Sequence, residues 1–423
     1  MSGARTFYVE TLGCPKNQVD SDKLVGTLLA DGLAPAASAE AADLVVVNTC
    51  AFIEEARQES IDVVLDLADR KQDQARLVVT GCMAERYGDE LATALPEADT
   101  VAGFGVPVTL GRKRDQAGFD LLRLPRPAPT APWAYVKVAE GCDKACGFCA
   151  IPSFRGPQVS RDLPELLGEV DSLAEAGVRE IVLVAQDLAS YGRDQGVGER
   201  RLVPLVAATA ERVDRVRLLY LYPSHLDEAL IEAILATGVP YFDLSLQHVA
   251  GDLVRRMRRW GDGERYLARI HAIRRAEPRA AFRSNFIVGY PGETEEHHDQ
   301  LLAFVREAQL DWCGFFSYSR EDGTYAADLD GAVAPELVAE RLAELRELQD
   351  EITALRRDEL VGEQVEVLVD APGVARSHRE APEIDGIVSV PEDLAVGELH
   401  QVVITAAAGP DCTAEPLAMA TGA

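Results

Sequence analysis

The chain has little cysteine, eight residues in 423, and no apolar run that approaches the length of a membrane span. Met1 to Val9 carries no apolar signal core behind a basic region, so neither a leader nor an anchor is expected and the cytoplasm is the expected location. Basic residues are short too, 42 Lys and Arg against 70 Asp and Glu, which leaves a net charge of -28. Such a field repels polyanions and attracts basic partners. Hydrophobic content of 47% and charged content of 26% are ordinary for a soluble globular protein, and the length suffices for two or three domains with proper cores.

Against that scarcity, three of the eight cysteines fall within eight residues, in Glu140-Gly141-Cys142-Asp143-Lys144-Ala145-Cys146-Gly147-Phe148-Cys149. Thiolates this close share a partner. Soft sulfur ligands select zinc, cuprous copper or iron-sulfur clusters, and the spacing C-x-x-x-C-x-x-C can wrap three corners of a cubane. A structural zinc site would want a fourth Cys or His nearby, and none follows before His225. The plain alternative is a redox-inert structural metal loop. Cysteines used as ligands rather than as disulfide partners agree with a reducing compartment.

Residues 1–123 alternate strand and helix: Thr6 to Thr11, helix Ser21 to Ala30, Leu44 to Asn48, helix Glu54 to Arg70, Leu77 to Thr80, helix Glu85 to Leu95. The pattern predicts a small parallel sheet with helices on its faces. Cys14, Cys50 and Cys82 each stand at or just after the carboxyl end of one of these strands. That edge is where open parallel sheets bind ligands, so three residues distant in sequence should converge and hold a second metal centre. Three unrelated buried thiols are the alternative. Asp20 and Ser21 could serve only as a helix cap, and Ser21 reads as one.

Residues 124–133 hold four prolines between Leu124 and Pro132, an extended linker. Strand-helix alternation then resumes over residues 134–360. Strands are predicted at Ala134 to Ala139, Glu180 to Ala185, Val216 to Leu221, Phe242 to Leu246, Phe282 to Val288 and Gly314 to Ser319, with helices such as Leu163 to Ala176, Leu226 to Thr237 and Thr294 to Ala308 between them. Six such units suggest a partial (β/α)6 barrel whose first cysteine loop sits at the carboxyl face, where barrels keep their chemistry. Glu296-His297-His298 reads as the solvent face of a helix, Cys313 as core packing, and Cys412 belongs to no motif.

A long amphipathic helix from Glu336 to Leu360 leads to residues 361–423, whose short alternating runs at Gln364 to Val369, Gly386 to Val390 and His400 to Ala406 suggest a small antiparallel β-barrel. That segment holds eleven Asp or Glu, two Arg and no Lys, a net of -9. A phosphate-binding surface needs basic residues, so direct RNA binding by this tail is not expected, whereas a strongly basic protein partner suits it.

The cysteine loop, with Phe148 before its last Cys, resembles the signature of the radical S-adenosylmethionine (SAM) enzymes. Gly13-Cys14-Pro15-Lys16-Asn17-Gln18-Val19-Asp20-Ser21, Asn48-Thr49-Cys50-Ala51-Phe52 and Thr80-Gly81-Cys82-Met83-Ala84 look like the three motifs of the methylthiotransferase N-terminal domain, and the tail resembles a TRAM domain. Together the resemblance to the methylthiotransferase family covers nearly the whole chain. It implies two 4Fe-4S clusters, one on Cys14, Cys50 and Cys82 and one on Cys142, Cys146 and Cys149, each with an open iron. The second binds SAM and generates a 5'-deoxyadenosyl radical; the first carries the sulfur that is inserted. No acid-base residue is implied. Gln186 and Asp187 end the second strand where radical SAM enzymes often carry Gly-Gly-Glu, and retain acceptors for the SAM ammonium. Gln247 ends the fourth strand, Arg283 could pair with the SAM carboxylate, and Gly289 would let backbone approach the adenine. Pro15-Lys16 and Ala185-Gln186-Asp187 look like the ribosomal branch, which modifies the β carbon of an aspartate in small-subunit ribosomal protein twelve. The alternatives are the tRNA adenosine branch and a non-catalytic two-cluster electron carrier or iron sensor; an enzyme of either branch needs an external electron donor.

Overall fold

A computed structural model describes residues 5–110, 120–196 and 201–417. In the N-terminal domain, β1 (Thr6–Thr11), β2 (Ala34–Pro35), β3 (Leu44–Thr49), β4 (Arg76–Gly81) and β5 (Thr100–Ala102) form one parallel sheet in the order β2-β1-β3-β4-β5. The run Leu-Val-Val-Val-Asn-Thr of β3 is buried throughout, as a central strand covered on both faces must be. Helices α1 (Pro15–Ala30), α2 (Glu54–Arg70) and α3 (Cys82–Ala94) complete the layers. Helix α1 starts six residues before the expected Ser21, because Pro15 at its first turn lacks only an N–H that has no helical partner. Ser21 is therefore not a cap: it lies mid-helix, accepts from Thr11 Oγ1 (2.6 Å) and from Asn48 Nδ2 (2.9 Å), and ties α1 to β1 and β3.

In the central region, β6 (Trp133–Lys137) is followed by the short pair β7 (Ala139–Glu140) and β8 (Val159–Ser160), which bracket helix α4 (Ile151–Arg155). Helix α5 (Leu163–Glu175), β9 (Glu180–Val184), α6 (Leu202–Ala210), β10 (Arg215–Leu218), α7 (Glu228–Leu235) and β11 (Tyr241–Gln247) continue the alternation. Two helices, α8 (Gly251–Arg256) and α9 (Gly263–Ala276), precede β12 (Ala281–Val288), and α10 (Glu295–Ala308) precedes β13 (Trp312–Ser317). Strands β6-β9-β10 pair in parallel, as do β11-β12-β13, and the two runs join where Leu221 bridges Leu244. The product is a six-stranded partial barrel in sequence order. Helix α1 packs on its first strand and adds Val19 to the lumenal cluster of Tyr135, Val182, Val184, Tyr241 and Trp312. The Pro-rich stretch has no regular element and is held rather than free, with Lys23 Nζ donating to Leu124 O (3.0 Å) and Arg126 Nη1 to Tyr135 O (2.6 Å).

Helix α11 (Pro335–Asp358) leads to β14 (Gln364–Ala371), β15 (Val374–Arg376), β16 (Val388–Ser389), β17 (Leu399–Ala408) and β18 (Asp411–Pro416), a closed five-stranded barrel. All its pairs are antiparallel except β16 with β18. Its segment 376–385 closes the lower end of the central barrel: Tyr135 Oη donates to Pro382 O (2.8 Å), Trp312 Nε1 to Arg379 O (2.7 Å), and Ala381 is buried in the lumenal cluster.

Candidate functional site

Cys14, Cys50 and Cys82 follow β1, β3 and β4, three adjacent parallel strands, so sheet order alone brings them together. Gly13, at φ +93°, makes the approach possible: a Cβ there would stand 2.9 Å from Cys50 Sγ, which no side chain tolerates. Asn17 binds the loops, donating to Leu12 O (2.9 Å) and Thr49 O (3.1 Å), and Cys50 N donates to Ser60 Oγ (3.1 Å). Burial raises the Cys14 thiol, but the Lys16 ammonium, the Arg155 guanidinium and the N–H groups of Asn17 and Lys16 outweigh it and bring this thiol below its ordinary value. Cys50 is pushed up to about 12, by burial first and then by Cys14. Burial raises Cys82 against the pull of Arg155.

Cys142, Cys146 and Cys149 lie in the loop after β7 at the carboxyl end of the barrel. The loop is seated by backbone: Cys142 N donates to Gly156 O (3.1 Å), Gly147 N to Met257 O (2.8 Å), and Ala326 N to Gly147 O (2.7 Å). Phe148 packs on the apolar cluster of Leu253, Met257, Tyr290 and Ala326, so its ring anchors the loop. Burial pushes Cys142 up to about 11 and Cys149 up to about 12. Among the described residues, no three His, Cys, Asp or Glu side chains are close enough to share one metal ion, so neither trio is drawn in around a single ion.

An arginine holds one sulfur of each trio. Arg259 Nη1 donates to Cys146 Sγ (3.1 Å), its Nη2 to Ser245 O, and its guanidinium lies 4.3 Å from the Tyr222 ring. Arg155 Nη2 donates to Cys82 Sγ (2.9 Å) and Asn17 Oδ1 (2.9 Å), while Nη1 donates to Glu140 Oε1 (2.7 Å). Glu140, two residues before Cys142, also accepts from Lys137 (2.7 Å) and Gln186 Nε2 (2.7 Å), and Lys137 pairs with Asp20 of α1. A chain of buried charges thus runs from the sheet edge to the barrel mouth. Removing one member would strand its partners, a change of about 3–5 kcal/mol. Lys144 approaches His225 (3.2 Å) and Asp187 (3.5 Å) on the other side of the mouth.

The remaining candidates divide. Gln186 Oε1 and Asp187 Oδ1 are buried and have no hydrogen-bond partner among the described residues, leaving two acceptors at the mouth. Gln247 takes φ +72°, a conformation that costs about 1–3 kcal/mol for a side chain, and pairs with Phe286 after the β11–β12 register shifts between Leu244 and Gln247. Two assignments are corrected. Arg283 is held by protein carboxylates, Asp243 (3.4 Å) and Asp385 of the tail domain (3.4 Å), which occupy the fork assigned to a SAM carboxylate. Gly289, at φ +83°, is approached by helix α11: a Cβ would stand 2.5 Å from Val338 Cγ2, so the position serves packing between elements rather than an adenine. His298 does not decorate a solvent face either; it is buried, with Nε2 2.9 Å from Glu344 of α11, and His297 forms the capping box of α10 with Thr294. Cys313 packs against the barrel core and Cys412 lies in the core of the tail barrel.

Sequence reasoning missed Arg155 and Arg259, which belong to no local pattern, and the pair Tyr220 and Tyr222 after β10. Lys16 Nζ stands 3.2 Å from the centroid of Tyr220, and Lys144 Nζ 4.4 Å from that of Tyr222. Two residues of one strand end therefore separate the surroundings of the first trio from those of the second.

Residues 6–103 match the uncharacterized protein family UPF0004, residues 136–305 the radical SAM superfamily, and residues 361–417 the TRAM domain. Among curated proteins, the ribosomal protein uS12 methylthiotransferase RimO of Kineococcus radiotolerans is 40% identical over 99% of this chain and 98% of its own length. The protein of the same name from Moorella thermoacetica is 43% identical over 91% of this chain and 93% of its own. Among solved structures, the radical SAM methyltransferase TsrM of Kitasatospora setae superposes with a TM-score of 0.49 at 14% identity, over 82% of this chain and 89% of that one. With near-complete mutual coverage at this identity, the chain belongs to the RimO family of ribosomal protein uS12 methylthiotransferases.

Proposed function

We propose that the chain inserts a methylthio group at the β carbon of an aspartate of ribosomal protein uS12, using SAM and two 4Fe-4S clusters. The observation that carries the reading is the pair of three-cysteine sites on adjoining strand-end surfaces, linked through Arg155 and Glu140. Three cysteines per site fit three corners of a cubane and would leave its fourth open. In that reading Cys14, Cys50 and Cys82 hold one cluster and Cys142, Cys146 and Cys149 the other. When bound, the groups supply a 5'-deoxyadenosyl radical at the second site and the methylated sulfur at the first.

The chain's own residues bind and orient. Gln186 Oε1 and Asp187 Oδ1 are free to accept from the SAM ammonium, the role their placement suits. Arg259 fixes Cys146 and places positive charge where ligand sulfur would be electron-rich. Arg155 does the same for Cys82 and ties that site to the loop bearing Cys142. The acidic tail, at a net of -9 and with segment 376–385 set against the barrel, suits a basic protein partner and not RNA. An external electron donor completes the reaction, and the cytoplasm, where ribosomes are made, is its place. Among the described residues no helix is long and apolar enough to cross a membrane. The division at 1–123, 124–133, 134–360 and 361–423 is the working domain plan.

The test is anaerobic turnover of the reconstituted, reduced protein with SAM, offering uS12 and unmodified tRNA together and weighing both products. A methylthio adduct on uS12 with 5'-deoxyadenosine release is expected. Modified tRNA beside untouched uS12 would transfer the chain to the tRNA branch, and SAM left intact would leave only an electron carrier.

A further inference from the structure

Lys16 is only 8% exposed. It sits in the first turn of α1, two residues after Cys14, with its ammonium over the Tyr220 ring at 3.2 Å from the centroid. A buried ammonium ordinarily pairs with a carboxylate, because desolvating it alone is expensive. Here no carboxylate of the described residues is within ion-pair distance. The obvious neighbour, Asp243, is committed elsewhere, accepting from Tyr220 N (2.9 Å) and pairing with Arg283 (3.4 Å). The aromatic face satisfies one side of the ammonium, and of its three N–H donors the others remain for a ligand. A largely buried, aromatic-backed cation beside Cys14, with no carboxylate of the described residues at ion-pair distance, can receive one anionic group.

Its position says which one. Tyr220 and Tyr222 stand two residues apart at the end of β10, the first carrying Lys16 beside Cys14 and the second carrying Arg259 beside Cys146. An anion on Lys16 would therefore lie beside Cys14, two residues along the same strand end from the tyrosine that carries Arg259 and Cys146. On the reading of the chain as a uS12 aspartate methylthiotransferase, on which this step rests, we propose that Lys16 is the specificity-determining residue for the substrate. Its ammonium receives the aspartate side-chain carboxylate and so fixes the β carbon, one bond away from that carboxylate, in the mouth between the sites.

The experiment is binding of a labelled uS12 loop peptide to the fully loaded protein, anaerobically and without reductant, with Asp or Asn at the modified position. Wild type should bind the Asp peptide on the order of 10- to 100-fold more tightly than the Asn peptide, the worth of one charge-assisted contact in a dry site. Lys16→Met, near in volume and uncharged, should bring that ratio close to one through loss on the Asp arm alone, with iron content retained, and Lys16→Arg should restore part of it. A ratio that persists in Lys16→Met overturns the assignment, as does an equal loss on the Asp and Asn arms, which would trace to the Cys14 site rather than to the peptide carboxylate. Should Lys16→Met not load its clusters, the wild-type ratio decides, since a value near one sinks the proposal without any variant. Turnover of the same wild-type sample separates the two levels: methylthiolated peptide with no Asp preference in binding rejects Lys16 alone, whereas no methylthiolation rejects the functional reading and Lys16 with it.

Discussion

Replacing Glu180 by Ala should loosen the tail domain from the barrel and cost about 3–5 kcal/mol. Glu180 opens β9, is wholly buried, and accepts from Arg217 Nε (2.7 Å) of β10 and Arg376 Nη1 (3.0 Å) of the tail barrel. Neither guanidinium is more than 2% exposed, so deleting the carboxylate leaves two buried cations with less than they need. A second route gives a similar magnitude. Burial alone would raise this carboxyl, but Arg217, Arg376 and Arg215 overcome it and hold it at about 2. Against an ordinary value near 4.3, that difference corresponds to about 3 kcal/mol of folding free energy at neutral pH. The sign follows: a depressed carboxyl contributes fully above its unfolded value, and the contribution is lost as pH falls from about 4.5 toward 2. Thermal unfolding followed by tryptophan fluorescence should drop by roughly 6–20 °C in Glu180→Ala at pH 7, the scale for a unit of 150–250 residues. Limited proteolysis should cut near residue 360 sooner. The wild-type advantage should shrink as pH is lowered through that window. A loss under about 1 kcal/mol at neutral pH, or an advantage that survives at pH 2, would refute the claim that this ion triad clamps the tail.

Iron and sulfide analysis should give about eight irons per chain, falling to about four when Cys142, Cys146 and Cys149 are all changed to Ala; one cluster in the intact protein would break the two-site reading. Since burial raises Cys50 and Cys149 to about 12 while Cys14 lies below its ordinary value, ligation must expel protons, so anaerobic reconstitution should be markedly poorer at pH 6 than at pH 8.5, with chelator-resistant iron as the readout. Arg155→Met should lower the reduction potential of the N-terminal cluster, because a donor and a positive charge leave Cys82 Sγ, while the other cluster keeps its own; redox titration by electron paramagnetic resonance measures both, and an unmoved N-terminal potential would make Arg155 merely structural.

Much of the architecture could be read along the chain because it depends on short-range pattern. The apolar run Leu44 to Thr49 is buried on both faces wherever it pairs, and the six barrel strands lie within a few residues of their expected ends. Helix α1 starts earlier than its apolar pattern indicates because Pro15 opens it without a side-chain cap, and β15 escapes the pattern because Val374–Arg376 is three residues long, whereas Asp411–Pro416 alternates but contributes only Cys412 and Ala414 to the core. Gly289 and Arg283 suit a ligand by their place in the sequence, but each is used by another part of the same chain, Val338 and Asp385, more than forty residues away.

The sequence by itself determined the two cysteine sets and the strand ends that carry them, since backbone pairing and thiolate chemistry follow from residue type and spacing. Only the tertiary structure decided which charges attend those sulfurs. Arg155, Arg259 and Lys16 take their meaning from Cys82, Cys146 and Tyr220, partners 73, 113 and 204 positions away. Long-range electrostatics in a buried mouth depends on distance in space and on loss of water, and neither is written in the order of residues.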